Sequence, residues 1–198
     1  SILAAKKSKL FKHVIVSTDS HSIAKISKKI GASVLFLRPK NISKDSSTTQ
    51  QVINHSIQWF RKKNINFKYI CCIYPVAPLL TPEHLKKSFK KIKKEKWDFI
   101  LSAIEYSSPI HRALYLKKKR VHFEKQNFFN KNSNKIKKNF YDAGQFYWGT
   151  SSAWSKKNII KNCNSTIYQI PKHLAEDINS KEDWDYLKKL YKVLKIKK

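Results

Sequence analysis

The 198 residues carry a formal charge of +29, with 42 Lys and Arg against 13 Asp and Glu, and only three cysteines. Lysines break every apolar run before the roughly 18 residues that a membrane helix needs, and residues 1–10 lack the apolar core of a secretory signal, so the expectation is one cytoplasmic domain of ordinary size. Adjacent Cys71 and Cys72 and distant Cys163 fit neither a zinc spacing nor a disulfide framework, and the lysines spread through nearly every segment argue for a solvated basic surface over a nucleic-acid site.

In chain order, residues 1–9 read as the end of a helix and residues 13–17 (HVIVS) as a short β-branched strand buried on both faces. Ile23, Ile26 and Ile30 recur at helical spacing up to Gly31, a natural helix stop. Residues 34–37 make a second strand. Residues 46–60 carry two i, i+4 rows, Val52, Ser56 and Phe60 beside Ile53 and Ile57, and read as an amphipathic helix. Residues 69–74 (YICCIY) are a third buried strand, ended by Pro75 and Pro78. Thr81, Pro82 and Glu83 open a helix whose inner face is Leu85, Phe89 and Ile92. Residues 97–104 are a fourth strand. The rhythm then fails between Ser108 and Phe140, where strand-like pieces at 112–116 and 121–124 lead into an Asn/Lys-rich loop, an arm outside the core. Residues 144–149 and 166–170 resume the strands, and Trp184, Leu187, Tyr191 and Leu194 mark a closing helix.

Alternating strands and helices indicate βαβ crossovers, a mostly parallel sheet, and ligands beyond the carboxyl ends of the strands. The expected sites are therefore the loops after Ser17, Leu37 and Tyr74. Ser17-Thr18-Asp19 either faces a ligand or caps the following helix. Arg38, with the hydroxyls of Ser46, Ser47, Thr48 and Thr49 at a helix start, either cradles a base or phosphate or is a capping cluster. Residues 74–78 (YPVAP) are a stiff turn that serves structure or site equally well. Glu176, Asp177, Glu182, Asp183 and Asp185 gather five of the thirteen acids within ten positions. Glu182 and Asp183 suit a helix dipole. Asp177 and Asn179, two apart in an extended chain, point the same way and suit Mg²⁺ with its retained waters.

The stretches HVIVSTDSHSIAKISKKIGASVLFLRP, CCIYPVAPLLTPEHL, FYDAGQFYWG and DINSKEDW, in this order, resemble the acylneuraminate cytidylyltransferases, most closely their pseudaminic acid branch. The resemblance runs from about Ile2 to about Leu194, and its specific part is DAGQFYWG in register with YPVAP. It implies a Rossmann-like nucleotidyltransferase fold with a dimerisation arm at residues 106–141, and transfer of CMP from CTP to a nine-carbon acidic sugar with Mg²⁺. It places Arg38, Ser47, Thr49 and Ala77 on the nucleotide side and Tyr74, Asp142, Gly144 and Gln145 on the sugar side. Asp177 becomes the catalytic, metal-binding acid, with Asn179 where the family has a second Asp. Asn132-Ser133-Asn134 stands where the family has a basic-Ser-Gln stretch. The family also opens on a strand and a Pro-Ala-Arg loop around the CTP phosphates, which would precede Ser1, so the expectation is an N-terminally incomplete domain. The alternatives are a silent homologue that dimerises or binds nucleotide weakly, and a basic polyanion-binding module.

Overall fold

The computed structural model describes residues 1–156, 163–175, 178 and 180–194. Among them no helix is long and apolar enough to cross a membrane.

The core is a four-stranded sheet in the order β1 (Tyr69–Ile73), β5 (Phe140–Thr150), β2 (Phe99–Glu105) and β6 (Ser165–Gln169). Strand β5 runs antiparallel to both its neighbours, and only β2 and β6 pair in parallel. The sheet is thus mixed rather than mostly parallel. The cause lies in the arm: β5 follows that excursion instead of a crossover helix, so nothing obliges it to run with its neighbours.

Alternation along these strands sorts side chains onto two faces. On one, Ile100, Ile104, Phe146 and Trp148 meet Leu85 and Ile92 of α4 (Pro82–Lys94) and Ala4 of α1 (Ile2–Ser8). Trp148 stacks on Phe11 with ring centroids 5.3 Å apart, and its indole N–H donates to buried Ser88 Oγ at 3.0 Å. On the other face, Phe99, Leu101 and Tyr147 pack with Ile57 of α3 (Thr49–Arg61) and with Ala153 and Trp154 of α5 (Ser151–Ser155). The result is a helix–sheet–helix sandwich of the α/β class.

Helix starts follow the expected chemistry. Thr81 caps α4 with Pro82 at its first position. The hydroxyls before α3 act as a capping box: Gln51 N donates to Thr48 Oγ1 at 3.2 Å, and Thr48 N donates to Gln51 Oε1 at 2.7 Å. Ser180 and Asp183 form the same box at the start of α6 (Lys181–Val193), which makes Asp183 a cap.

The first part of the chain departs from the reading in two ways. Residues 13–17 and 34–37 form isolated parallel bridges, Ile15 to Ser33 and Thr18 to Leu37, rather than strands of the sheet. Among the described residues these two segments bridge only to each other, and two short segments alone make a marginal ladder. In α2 (His21–Lys29), Ala24 and Ser27 are the buried residues, while Ile23, Ile26 and Ile30 are exposed. Small side chains let the helix approach closely and turn its isoleucines outward.

Within the arm, β3 (Leu114–Lys117) and β4 (Arg120–Phe123) pair as a separate two-stranded sheet, every residue of it exposed. Lys118 and Lys119 close the hairpin, both with positive φ (49° and 64°), as a tight two-residue turn requires.

Candidate active site

The carboxyl end of β1 delivers the site. Tyr74 N donates to Gln145 O at 2.9 Å, which extends the β1–β5 ladder by one bond and brings the YPVAP turn beside the DAGQ segment. The Tyr74 hydroxyl and Thr49 Oγ1 lie 2.5 Å apart, joining this turn to the first residue of α3. The Tyr74 ring meets Tyr147 edge-on, with centroids 5.5 Å apart at 88°.

Between Leu101 and Ala103 the β2–β5 register breaks. Leu101 faces Tyr147 and Ala103 faces Asp142, so a two-residue step on β2 opposes a five-residue step on β5. This wide bulge is built around Gly144, whose φ of +59° lies in the left-handed region where glycine carries no Cβ penalty. Its loosened backbone is gathered by Ser102, which is fully buried and whose Oγ accepts from Gln145 N at 3.3 Å and Phe146 N at 3.1 Å.

The bulge changes which side chains meet. In an unbroken strand Asp142 and Tyr147, five apart, would point to opposite faces. Here they share one, and the Tyr147 hydroxyl donates to Asp142 Oδ2 at 2.5 Å while Gly144 N donates to Oδ1 at 2.9 Å. Burial, then the hydrogen bond and charge of Asp142, push the Tyr147 phenol far up, so it remains a donor at any physiological pH. Gln145 is 2% exposed. Its Nε2 donates to Leu174 O at 2.8 Å, which fixes the amide, and its buried Oε1 has no partner among the described residues.

The nucleotide-side residues are held more locally. Arg38 stands between Asp19, at 3.5 Å, and Ser43, to which its Nε donates at 3.1 Å. Of the Ser17-Thr18-Asp19 cluster, Thr18 is buried and accepts from Ser20 N, and Ser20 caps α2, so capping and arginine anchoring share these residues. Ser47 Oγ accepts from Lys44 N at 3.1 Å and shapes the loop before α3. The Ala77 methyl lies in the core with Leu80 and Leu85 rather than at the surface. Asp177 and Asn179 lie outside the described residues, and among the described residues no three His, Cys, Asp or Glu side chains are grouped to hold a metal.

The structure thus brings Thr49, Tyr74, Asp142, Gly144 and Gln145 into one connected cluster, with Arg38 and Ser47 in loops of their own. Sequence reasoning missed Tyr147 and Ser102. The available signal was Gly144 itself, since a glycine inside a strand pattern marks a bulge that reverses the alternation beyond it.

Residues 1–187 match the cytidylyltransferase family. The chain is 34% identical over 194 residues to the pseudaminic acid cytidylyltransferase of Campylobacter jejuni subsp. jejuni serotype O:2, covering 98% of this chain and 84% of that one. It is 32% identical, with the same coverage, to the pseudaminic acid cytidylyltransferase of C. jejuni serotype O:23/36. Among solved structures, CMP:2-keto-3-deoxy-manno-octonic acid synthetase complexed with CTP superposes with a TM-score of 0.60 at 9% identity, covering 98% of this chain and 87% of that one, which is a likeness of fold.

Proposed function

The chain belongs to the cytidylyltransferase family, and we propose that it transfers CMP from CTP to pseudaminic acid, a nine-carbon acidic sugar, with release of pyrophosphate. The observation that carries this reading is the 34% identity over 98% of the chain to a pseudaminic acid cytidylyltransferase. The anomeric hydroxyl of the sugar attacks the α-phosphorus of CTP, the new P–O bond forms as the bond to pyrophosphate breaks, and the hydroxyl proton is lost. Such a reaction asks the protein chiefly for positioning and for neutralisation of phosphate charge.

In this reading Arg38, Ser47, Thr49 and the backbone at Ala77 serve the nucleotide, and Tyr74, Asp142, Gly144 and Gln145 serve the sugar. The 2.5 Å contact between Thr49 and Tyr74 supports it, because it ties the start of α3 to the sugar-side turn. Mg²⁺ is the proposed cofactor, with the carboxylate of Asp177 and the amide carbonyl of Asn179 as its protein ligands. One carboxylate and one neutral oxygen, completed by substrate phosphates and water, is a donor set Mg²⁺ accepts, and the bound ion supplies neutralisation of phosphate charge.

The finer reading includes a cytoplasmic homodimer paired through residues 106–141. Its support is the β3–β4 hairpin, which leaves Leu114, Leu116 and Val121 in water, Leu116 at 73% exposure, although an isolated hairpin is only marginally stable.

The test is incubation with CTP, Mg²⁺ and pseudaminic acid, reading pyrophosphate and the CMP-sugar by mass. Product with pseudaminic acid, and little with N-acetylneuraminic acid, is expected. A folded protein that binds CTP yet neither binds any nonulosonic acid nor gives a CMP-sugar from it would overturn the reading.

A further inference from the structure

Tyr147 is not among the residues assigned above, yet its hydroxyl ends on one of them. The contact is unusual in what it spends. Asp142 is an exposed carboxylate, yet both its oxygens are held, Oδ1 by the Gly144 N–H at 2.9 Å and Oδ2 by the Tyr147 hydroxyl at 2.5 Å. Surface carboxylates fixed in this way return little stability for the side-chain freedom they lose. Hydroxyl to carboxylate is among the stronger hydrogen bonds, and here the donor comes from a half-buried ring that packs with Phe99 on one side and meets Tyr74 edge-on on the other. The three-residue excess of the bulge is what puts the two on one face.

We propose that Tyr147 is a positioning residue for Asp142, locking its carboxylate so that the remaining lone pairs, turned to solvent, accept from hydroxyl or amide N–H donors of the acidic sugar. An ionised carboxylate has room for about four hydrogen bonds, and two are used among the described residues. The same fixed negative charge disfavours the sugar's own carboxylate at this spot, so the pair sets which end of the sugar lies against β5. This inference rests on the functional reading above, because it takes Asp142 to face the sugar.

The experiment measures the Kd of pseudaminic acid for the CTP-loaded, Mg²⁺-free protein, and the Kd of CTP, for wild type, Tyr147→Phe, Asp142→Asn and the double variant, with melting temperatures alongside. Tyr147→Phe keeps the ring and removes only the donor. We expect a sugar Kd raised about five- to tenfold in each single variant, the size of one ordinary lost hydrogen bond, and a CTP Kd within about twofold of wild type. The double variant should be no weaker than the worse single one, since Tyr147 acts through Asp142. Additive losses, an equal rise in the CTP Kd, or an unchanged sugar Kd in Asp142→Asn would each overturn the proposal. The last holds even if Tyr147→Phe fails to fold, because Asp142 lies at the surface. A wild-type chain that binds CTP but no nonulosonic acid overturns the functional reading itself, and is recognised before any variant is compared.

Discussion

Replacing Ser102 with alanine tests whether one buried hydroxyl holds the bulge that shapes the site. The substitution keeps Cβ and opens almost no cavity, so its cost is electrostatic. Two backbone donors lose their acceptor, Phe146 N at 3.1 Å and Gln145 N at 3.3 Å, both from buried residues of β5. An abandoned buried donor costs about 1–3 kcal/mol; taking the longer contact near the low end and the shorter near the middle gives a loss of about 3 kcal/mol. For a chain of this size each kcal/mol moves the melting temperature by about 2–4 °C, so a fall of about 6–12 °C is expected. Calorimetry or circular dichroism melts read this directly, with Ser155→Ala at the exposed end of α5 as a control expected to stay within about 0.5 kcal/mol of wild type. Because Asp142 and Gln145 flank the same bulge, sugar affinity should fall with stability. A Ser102→Ala protein that melts within about 2 °C of wild type would refute the reasoning, and would mean that the ladder alone holds the bulge.

Other expectations follow from the packing and the titratable groups. Gly149→Ala should destabilise by about 1–3 kcal/mol, measured by urea titration, since its Cβ would come within 2.7 Å of Trp154 Nε1 and 2.9 Å of Phe99 Cδ2. Burial pushes the Cys71 thiol well up and that of Cys72 to about 12, so a thiol reagent at pH 8 should leave both unmodified in the native protein and label them only in denaturant. Burial and then Lys87 hold His84 below its usual value of about 6.5, against a smaller opposing effect of Glu83. The unfolded chain therefore takes up a proton first, so this contribution to stability is present above about pH 6.5 and is lost as pH falls through the lowered folded value. His84→Gln should flatten the fall in melting temperature between about pH 7 and 5. Leu116→Asp, in the exposed hairpin, should shift light-scattering mass from dimer to monomer without changing the melt of the core; an unchanged dimer would remove the arm from the interface.

Local chemistry was legible in the sequence wherever a residue's preference and its neighbours agreed. The caps at Thr48 and Thr81 and the inner face of α4 depend on spacings within one element, which periodicity and side-chain type determine, whereas the cap of α2 fell to Ser20, one residue past the Ser17-Thr18-Asp19 cluster, and strand β1 is only half-buried. The resemblance to the cytidylyltransferases named Tyr74 and Asp142, whose segments lie side by side in the structure. What order along the chain did not determine was direction and face. That β5 runs against both neighbours depends on the return of the arm, and that Ile23, Ile26 and Ile30 face water depends on what α2 lies against; neither is encoded in a local pattern. The pairing of Tyr147 with Asp142 is the plainest case. Strict alternation puts them on opposite sides of the sheet, and only the bulge at Gly144, gathered by a serine more than forty residues away on β2, turns them to the same side. Spacing within a strand is a local quantity, whereas register is a property of two strands, and the connection across the site was settled by register.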